Sequence, residues 1–245
     1  MKISFAALVA TCSSLLAADH LNLEEGLPTQ LEDAYPIAYR GREIQTHLSY
    51  EHVDDGTDRV TLQPQFEFGF APNAQGKITV PFYLGDADKK NSGNIGLEAF
   101  YNFNTEGISI PAFALSARAD LPTGREAAGI DTTLKAIATK SVSRTGLDRV
   151  HLNAAWKRNA GRGPMEREHM YQMIAGYSRR LGADTVIVAD YVREQEEEKG
   201  KTFDIIELGV RRQLTPLTVL SAGAGAGVSK DSPDVRFTLG FQKSF

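Results

Sequence analysis

Cysteine is almost absent from this sequence, with one residue, Cys12, in 245. It lies inside an exported-type leader, so the chain beyond it has neither a disulfide nor a thiol nucleophile. Long apolar runs are also missing. No stretch reaches the ~20 residues with which a helix crosses a bilayer, and this excludes a helical membrane protein. Basic excess is missing too, because 27 Lys and Arg stand against 31 Asp and Glu, for a net charge of -4. That mild acidity excludes nucleic acid as an expected partner. No segment carries the apolar period of a long amphipathic helix. The five histidines, His20, His47, His52, His151 and His169, show no metal-ligand spacing, so neither a metal nor an organic cofactor is expected.

What is present begins with the leader. Lys2, the apolar stretch Ile3 to Ala10 and the small pair Ala17 and Ala18 make residues 1–18 a secretory signal peptide, cleaved after one of those two alanines. Thr11 is a poor residue before a lipidated cysteine, which favours simple cleavage over lipidation at Cys12. Loss of the leader removes Lys2 and no acid, so -4 becomes -5 for the mature chain. Residues 19–42 follow as an irregular amino-terminal arm, interrupted by Gly26, Pro28, Pro36 and Gly41.

From residue 43 to 245 the pattern changes to period-two alternation. The last strand is the clearest guide. Val235, Phe237, Leu239, Phe241 and Phe245 share one face, and Arg236, Thr238, Gly240, Gln242 and Ser244 the other. Lys243 alone breaks the apolar face. This ending resembles the terminal strand of bacterial outer-membrane barrels, which implies an assembly signal made of Phe237, Leu239, Gly240, Phe241 and Phe245 and read by the barrel-assembly machinery. The same alternation runs from Val60 to Phe70. There Phe66, Phe68 and Phe70 face one way and Gln63, Gln65 and Glu67 the other, a hazard on a soluble strand but a requirement at a lipid face. Pro64 lacks a donor, so a local bulge is expected there.

About twelve such segments follow one another, among them Lys77 to Leu84 and Ile108 to Leu121. Twelve is an even count, as single-chain bacterial barrels require. The links between them alternate, with only that from Ser143 to Asp148 intermediate. Short ones fall at 71–76, 104–107, 182–183 and 215–216, and longer polar ones at 52–59, 85–93, 122–129, 159–169, 194–202 and 229–233, as periplasmic turns and external loops do. The fold expected is therefore all-β, a single antiparallel up-and-down transmembrane β-barrel over 43–245. A soluble barrel with every strand inverted is the fallback, because periodicity alone does not say which face is wet.

With the apolar faces in lipid, the lumen becomes polar and carries both signs. Candidate lining residues are Glu67, Glu98, Arg118, Asp120, Lys135, His151, Asp190, Glu207, Arg211 and Arg236, together with Gln45, His47, Gln63, Gln65 and Lys157. Charges at membrane depth need partners or water, so this implies either a hydrated, selective pathway or an ion-paired plug.

Two stretches, EEGLPTQLEDAYPIAYRGREIQTHLSYEH at 24–52 and ISIPAFALSARADLPTG at 108–124, carry a family likeness. The chain resembles the meta-pathway phenol-degradation transporter family of bacterial outer-membrane β-barrels. The likeness runs on through the carboxy-terminal half. It implies an outer-membrane barrel passing hydrophobic or aromatic solutes, with outer-membrane lipids as surroundings and no catalytic residues to carry over. Within it, Leu27 to Ile37 looks like the family's entrance segment, which either folds into the barrel and narrows it or stays a periplasmic tail.

Other chemistries find less support. A lipolytic site needs nucleophile and base in contact; His47 and Ser49 share a strand face, but that face turns inward and no Asn is well placed on the next strand. The GAGAG run at Gly223 to Gly227 lacks the strand-turn-helix setting of a phosphate loop, and its small residues suit a bend or a close contact with the arm. Glu194 to Lys199 lacks calcium-loop spacing. The expected function is that of an outer-membrane channel or transporter for passive passage of small, hydrophobic or aromatic solutes, with a non-conducting structural or interaction barrel as the alternative and an outer-membrane lipolytic enzyme behind it.

Overall fold

Alternation over so many consecutive segments demands a sheet with no free edge, and the chain forms one. In a computed structural model the structure describes residues 18–53, 56–86, 91–124 and 128–245. The expected leader up to residue 17, Cys12 included, and short parts of three expected external loops lie outside the described residues. The first strands are β1 (Arg42–Val53), β2 (Thr57–Ala71), β3 (Ala74–Thr79), β4 (Phe82–Gly85), β5 (Asn91–Ser92), β6 (Ile95–Asn102) and β7 (Ala112–Leu121). They continue as β8 (Asp131–Ser141), β9 (Asp148–Arg158), β10 (His169–Arg180), β11 (Thr185–Gln195), β12 (Thr202–Thr215), β13 (Thr218–Gly227) and β14 (Val235–Ser244).

All pairings are antiparallel and link strands that follow one another around the wall, β3 lying between β2 and β6, and β14 returns to β1 with Glu43 opposite Ser244 and His52 opposite Val235. The ring thereby closes. β3 and β4 lie end to end along β2 and form one position in the wall, so the barrel has twelve strands, with the two-residue β5 added beside β4. Among the described residues there is no helix.

The wall departs from the expectation at Pro64. No bulge appears between β1 and β2, whose register runs unbroken from Arg42 opposite Phe68 to Val53 opposite Thr57. The Pro64 carbonyl accepts from the Val80 amide at 3.0 Å, so its backbone polar groups face away from β1. The missing donor therefore falls on the other side, and Pro81 is a second missing donor one residue on. The expected strand from Lys77 to Leu84 is accordingly two strands, split at Val80 and Pro81. The expected start at Ile108 is also corrected, since β7 begins at Ala112. Asn104 donates to the Pro111 carbonyl at 2.8 Å and accepts from the Phe113 amide at 3.0 Å, which holds 104–111 as a turn rather than a strand.

Outward-facing residues are apolar around the ring: Leu48, Leu62, Leu97, Leu115, Leu134, Leu152, Leu208 and Leu239 are all exposed, and Phe70, Phe103 and Phe245 stand near the lower end. Inward-facing residues are largely polar, yet not wholly so. Ile174, Val186, Val188, Val192 and Ile205 point inward and form a buried cluster with Leu23 and Leu31 of the arm. An entirely polar lumen is thus corrected: part of the inner wall is apolar because the arm covers it.

Candidate functional site

Residues 18–41 precede β1 and run inside the lower half of the barrel. The amide of Ala18 bonds the Pro216 carbonyl at 2.8 Å, at the lower turn between β12 and β13. At the other end Arg40 donates to the Gly69 carbonyl at 2.8 Å, just above the β2–β3 turn. Between these anchors Leu23, Leu27, Leu31 and Ala34 are fully buried.

Charge holds the arm on one side. Glu24 and Glu32 bring two carboxylates to an inner wall that offers two lysines. Lys77 contacts Glu24 at 2.6 Å and Glu67 at 2.9 Å, and Lys135 contacts Glu32 at 2.8 Å and Glu25. Side-chain amides and a guanidinium complete the arm's backbone bonding. Asn153 accepts from the Glu32 amide at 2.9 Å and donates to the Glu32 carbonyl at 2.8 Å. Gln75 accepts from Ile37 at 2.7 Å, and Asn102 donates to the Ala34 carbonyl at 2.6 Å. On the far wall Arg211 donates to the carbonyls of Leu27 at 2.6 Å and His20 at 3.2 Å. A segment without secondary structure must satisfy its peptide groups this way to be buried at all.

Shape holds it on the other side. A Cβ on Gly223 would stand 2.6 Å from the Pro28 carbonyl oxygen, one on Gly176 would meet Leu31 at 2.5 Å, and one on Gly209 would strike the Pro28 ring. These bare positions let the arm lie against the wall, which gives the glycine run beginning at Gly223 its packing role.

Two cavities flank the arm and share no lining residue. The upper one, about 1040 Å³, is floored by Glu25 and lined among others by Glu98, Arg118, Asp120, Lys135 and Lys157. The lower one, about 460 Å³, lies between the arm and the lower rim, with Asp33, Tyr35, Arg42 and Arg149 in its lining. Asp33 is buried there, accepting from the amides of Tyr35 at 3.0 Å and Leu23 at 3.3 Å. Burial outweighs those bonds and the nearby Arg149, and pushes its carboxyl up to about 8.

The residues singled out by alternation therefore separate into four settings. Glu98, Arg118, Asp120 and Lys135 stand at the upper cavity, with Arg118 and Asp120 paired at 2.7 Å. Glu67, Asp190, Glu207 and Arg211 stand against the arm: Glu207 accepts from the Gln30 amide at 3.1 Å, and Asp190 faces Thr29 and Leu31. Arg236 bridges Glu51 at 2.7 Å and Glu207 at 3.3 Å. His151 stays in the wall between Thr139 at 3.0 Å and Ser178 at 2.9 Å. His47, weighed as a catalytic base, is buried and packs against Gly26. Of the terminal-strand residues, Phe237, Leu239, Phe241 and Phe245 point outward, and Gly240 points inward beneath Leu27.

Sequence reasoning passed over Lys77, Glu24 and Glu32. Lys77 and Thr79 alternate with Ile78 and Val80, which was the available signal for an inward lysine. Nothing in the sequence states that the arm's acids meet it.

No family model matches the sequence, and no curated protein matches it. Solved structures do. An outer-membrane channel from Pseudomonas putida F1 superposes with a TM-score of 0.69 at 10% identity, over 91% of this chain and 100% of that one. The KdgM porin, solved in complex with disordered oligogalacturonate, gives 0.60 at 12% identity over 83% and 99%, and the NanC porin 0.60 at 8% identity over 82% and 98%. At such identities the likeness is one of fold, and the fold of this chain is the twelve-stranded antiparallel barrel described above.

Proposed function

We propose that the protein is an outer-membrane channel through which small solutes pass passively, and that the arm keeps it closed. The observation that carries this reading is the pair of cavities on either side of the arm, inside a closed barrel with an apolar exterior. Spanning barrels need strands closed into a ring and an outward apolar band, and this chain has both. Its likeness in fold to channels and porins supports the same choice. On this reading the leader directs export, the Phe237 to Phe245 face engages the barrel-assembly machinery, and lipid surrounds the leucine band. Selection of the solute falls to Glu98, Arg118, Asp120 and Lys135 in the upper cavity. Membership of the meta-pathway phenol-degradation transporter family, and hydrophobic or aromatic character of the solute, rest on the sequence resemblance.

Liposome swelling tests the proposal. The full chain is expected to admit small sugars slowly and a chain lacking residues 19–41 to admit them several-fold faster. Recovery of the native protein in the soluble periplasm would overturn the membrane assignment outright.

A further inference from the structure

A cationic cluster stands on the outside of the barrel at its upper rim. Arg158 ends β9 and is opposite His169 at the start of β10. Arg162 lies in the loop between them. Both arginines converge on one carboxylate, Glu168, Arg162 at 2.9 Å and Arg158 at 3.8 Å. Two guanidiniums share a single acid, so the cluster keeps a positive charge. Their side chains are 51% and 43% exposed, which leaves donors free to take another oxyanion.

What lies directly below fixes the height. Trp156 stacks on His169 with ring centroids 5.4 Å apart, and it pairs across the sheet with the exposed Tyr171. Trp and Tyr collect where hydrocarbon gives way to headgroups. Farther down the same face come Met173 and Leu152, both exposed, around the small Ala154 and its neighbour Ala136. An acyl chain following that shallow path would bring its headgroup to the arginines.

We infer that Arg158 and Arg162 bind a phosphate of the lipid A headgroup in the outer leaflet. The fit is chemical: a fixed pair of planar guanidiniums matches phosphate oxygens, the aromatic ledge suits the sugar-acyl boundary, and the apolar face suits the chains. The inference rests on the outer-membrane placement proposed above. Arg179, also exposed on the outside but at the opposite end of β10 and paired with Asp148 at 3.1 Å, provides the control.

The test uses the full chain purified in detergent, with bound lipid counted by native mass spectrometry. Three probes are titrated: lipid A with both phosphates, the same lipid A without phosphates, and phosphatidylglycerol. The account expects the phosphorylated lipid A to bind most tightly, and the R158Q/R162Q variant to bind it at least about tenfold more weakly, with R179Q unchanged. Resistance to unfolding in cold dodecyl sulfate confirms that each variant remains a barrel. Equal binding by R158Q/R162Q, or equal binding of the dephosphorylated lipid, overturns the site. Equal binding of phosphatidylglycerol overturns the choice of lipid A. A protein that stays soluble without detergent fails the membrane reading itself, which is a different result.

Discussion

Lys77 shows at the scale of one residue how the arm is retained. It lies fully buried between Glu24 of the arm and Glu67 of the wall. Removing a buried charge partner strands the others, typically at a cost of about 3–5 kcal/mol, whereas the intact pair is worth far less than that. Lys77→Met is therefore expected to lower the unfolding free energy in detergent-urea titration by about 3 kcal/mol or, if the arm escapes instead, to make the arm cleavable by added protease. A variant unchanged by both measures would mean that the two carboxylates do not depend on this lysine. Gly223 makes the steric case. A valine there has no room beside the Pro28 carbonyl, so Gly223→Val should expose the arm to protease, while Gly107→Ala, at a position with space for a methyl group, should not. Cleavage rates of the two variants decide it.

Among the elements the arm carries a carboxyl whose proton follows docking. Asp33 has an ordinary value of 3.8 and is pushed up to about 8 in the folded chain, where Leu23, Tyr35, Arg149 and Glu24 surround it. The folded arm thus holds a proton that the released arm gives up. Its docking is strongest below about pH 4 and weakens as pH rises toward and through 8. Protease cleavage of the arm is expected to be faster at pH 9 than at pH 6, and Asp33→Asn should reduce that difference, the remainder falling to Glu32, whose carboxyl burial pushes up to about 7. An identical rate at both pH values would show that Asp33 is ionised when docked.

The strands were legible in the sequence to differing degrees, for physical reasons. β2 alternates strictly and β14 does so apart from Lys243, and their outward and inward faces follow from the pattern. β11 does not: Val186, Ile187 and Val188 are apolar on both faces, because the inner ones pack on the arm. Pro64 announced a disturbance but not its location, since only the hydrogen-bond direction of the residue tells which neighbouring strand loses a bond. The arm was the least legible. Its Gly and Pro residues excluded a strand, yet its burial depends on Asn102, Asn153 and Arg211, far away along the chain. The candidate charges were found as inward residues, and pairing them with the arm required the fold.

At the scale of the whole molecule, a ring of twelve strands supplies an apolar outside and, on the channel reading proposed above, an interior that conducts once the arm leaves. The interior is divided by residues 18–41 into an upper and a lower cavity. Charge at the upper cavity should then shape passage only after the arm leaves. In the arm-deleted chain, Lys135→Glu is expected to shift the reversal potential in a salt gradient toward cation selectivity, and an unshifted potential would remove Lys135 from the conducting path.

The most direct measurement is single-channel conductance in planar bilayers, comparing the full chain with the chain lacking residues 19–41. The account predicts a closed or very small conductance for the full chain and stable openings of several-fold larger conductance after deletion. Folded barrels that insert in both forms and conduct equally would contradict it.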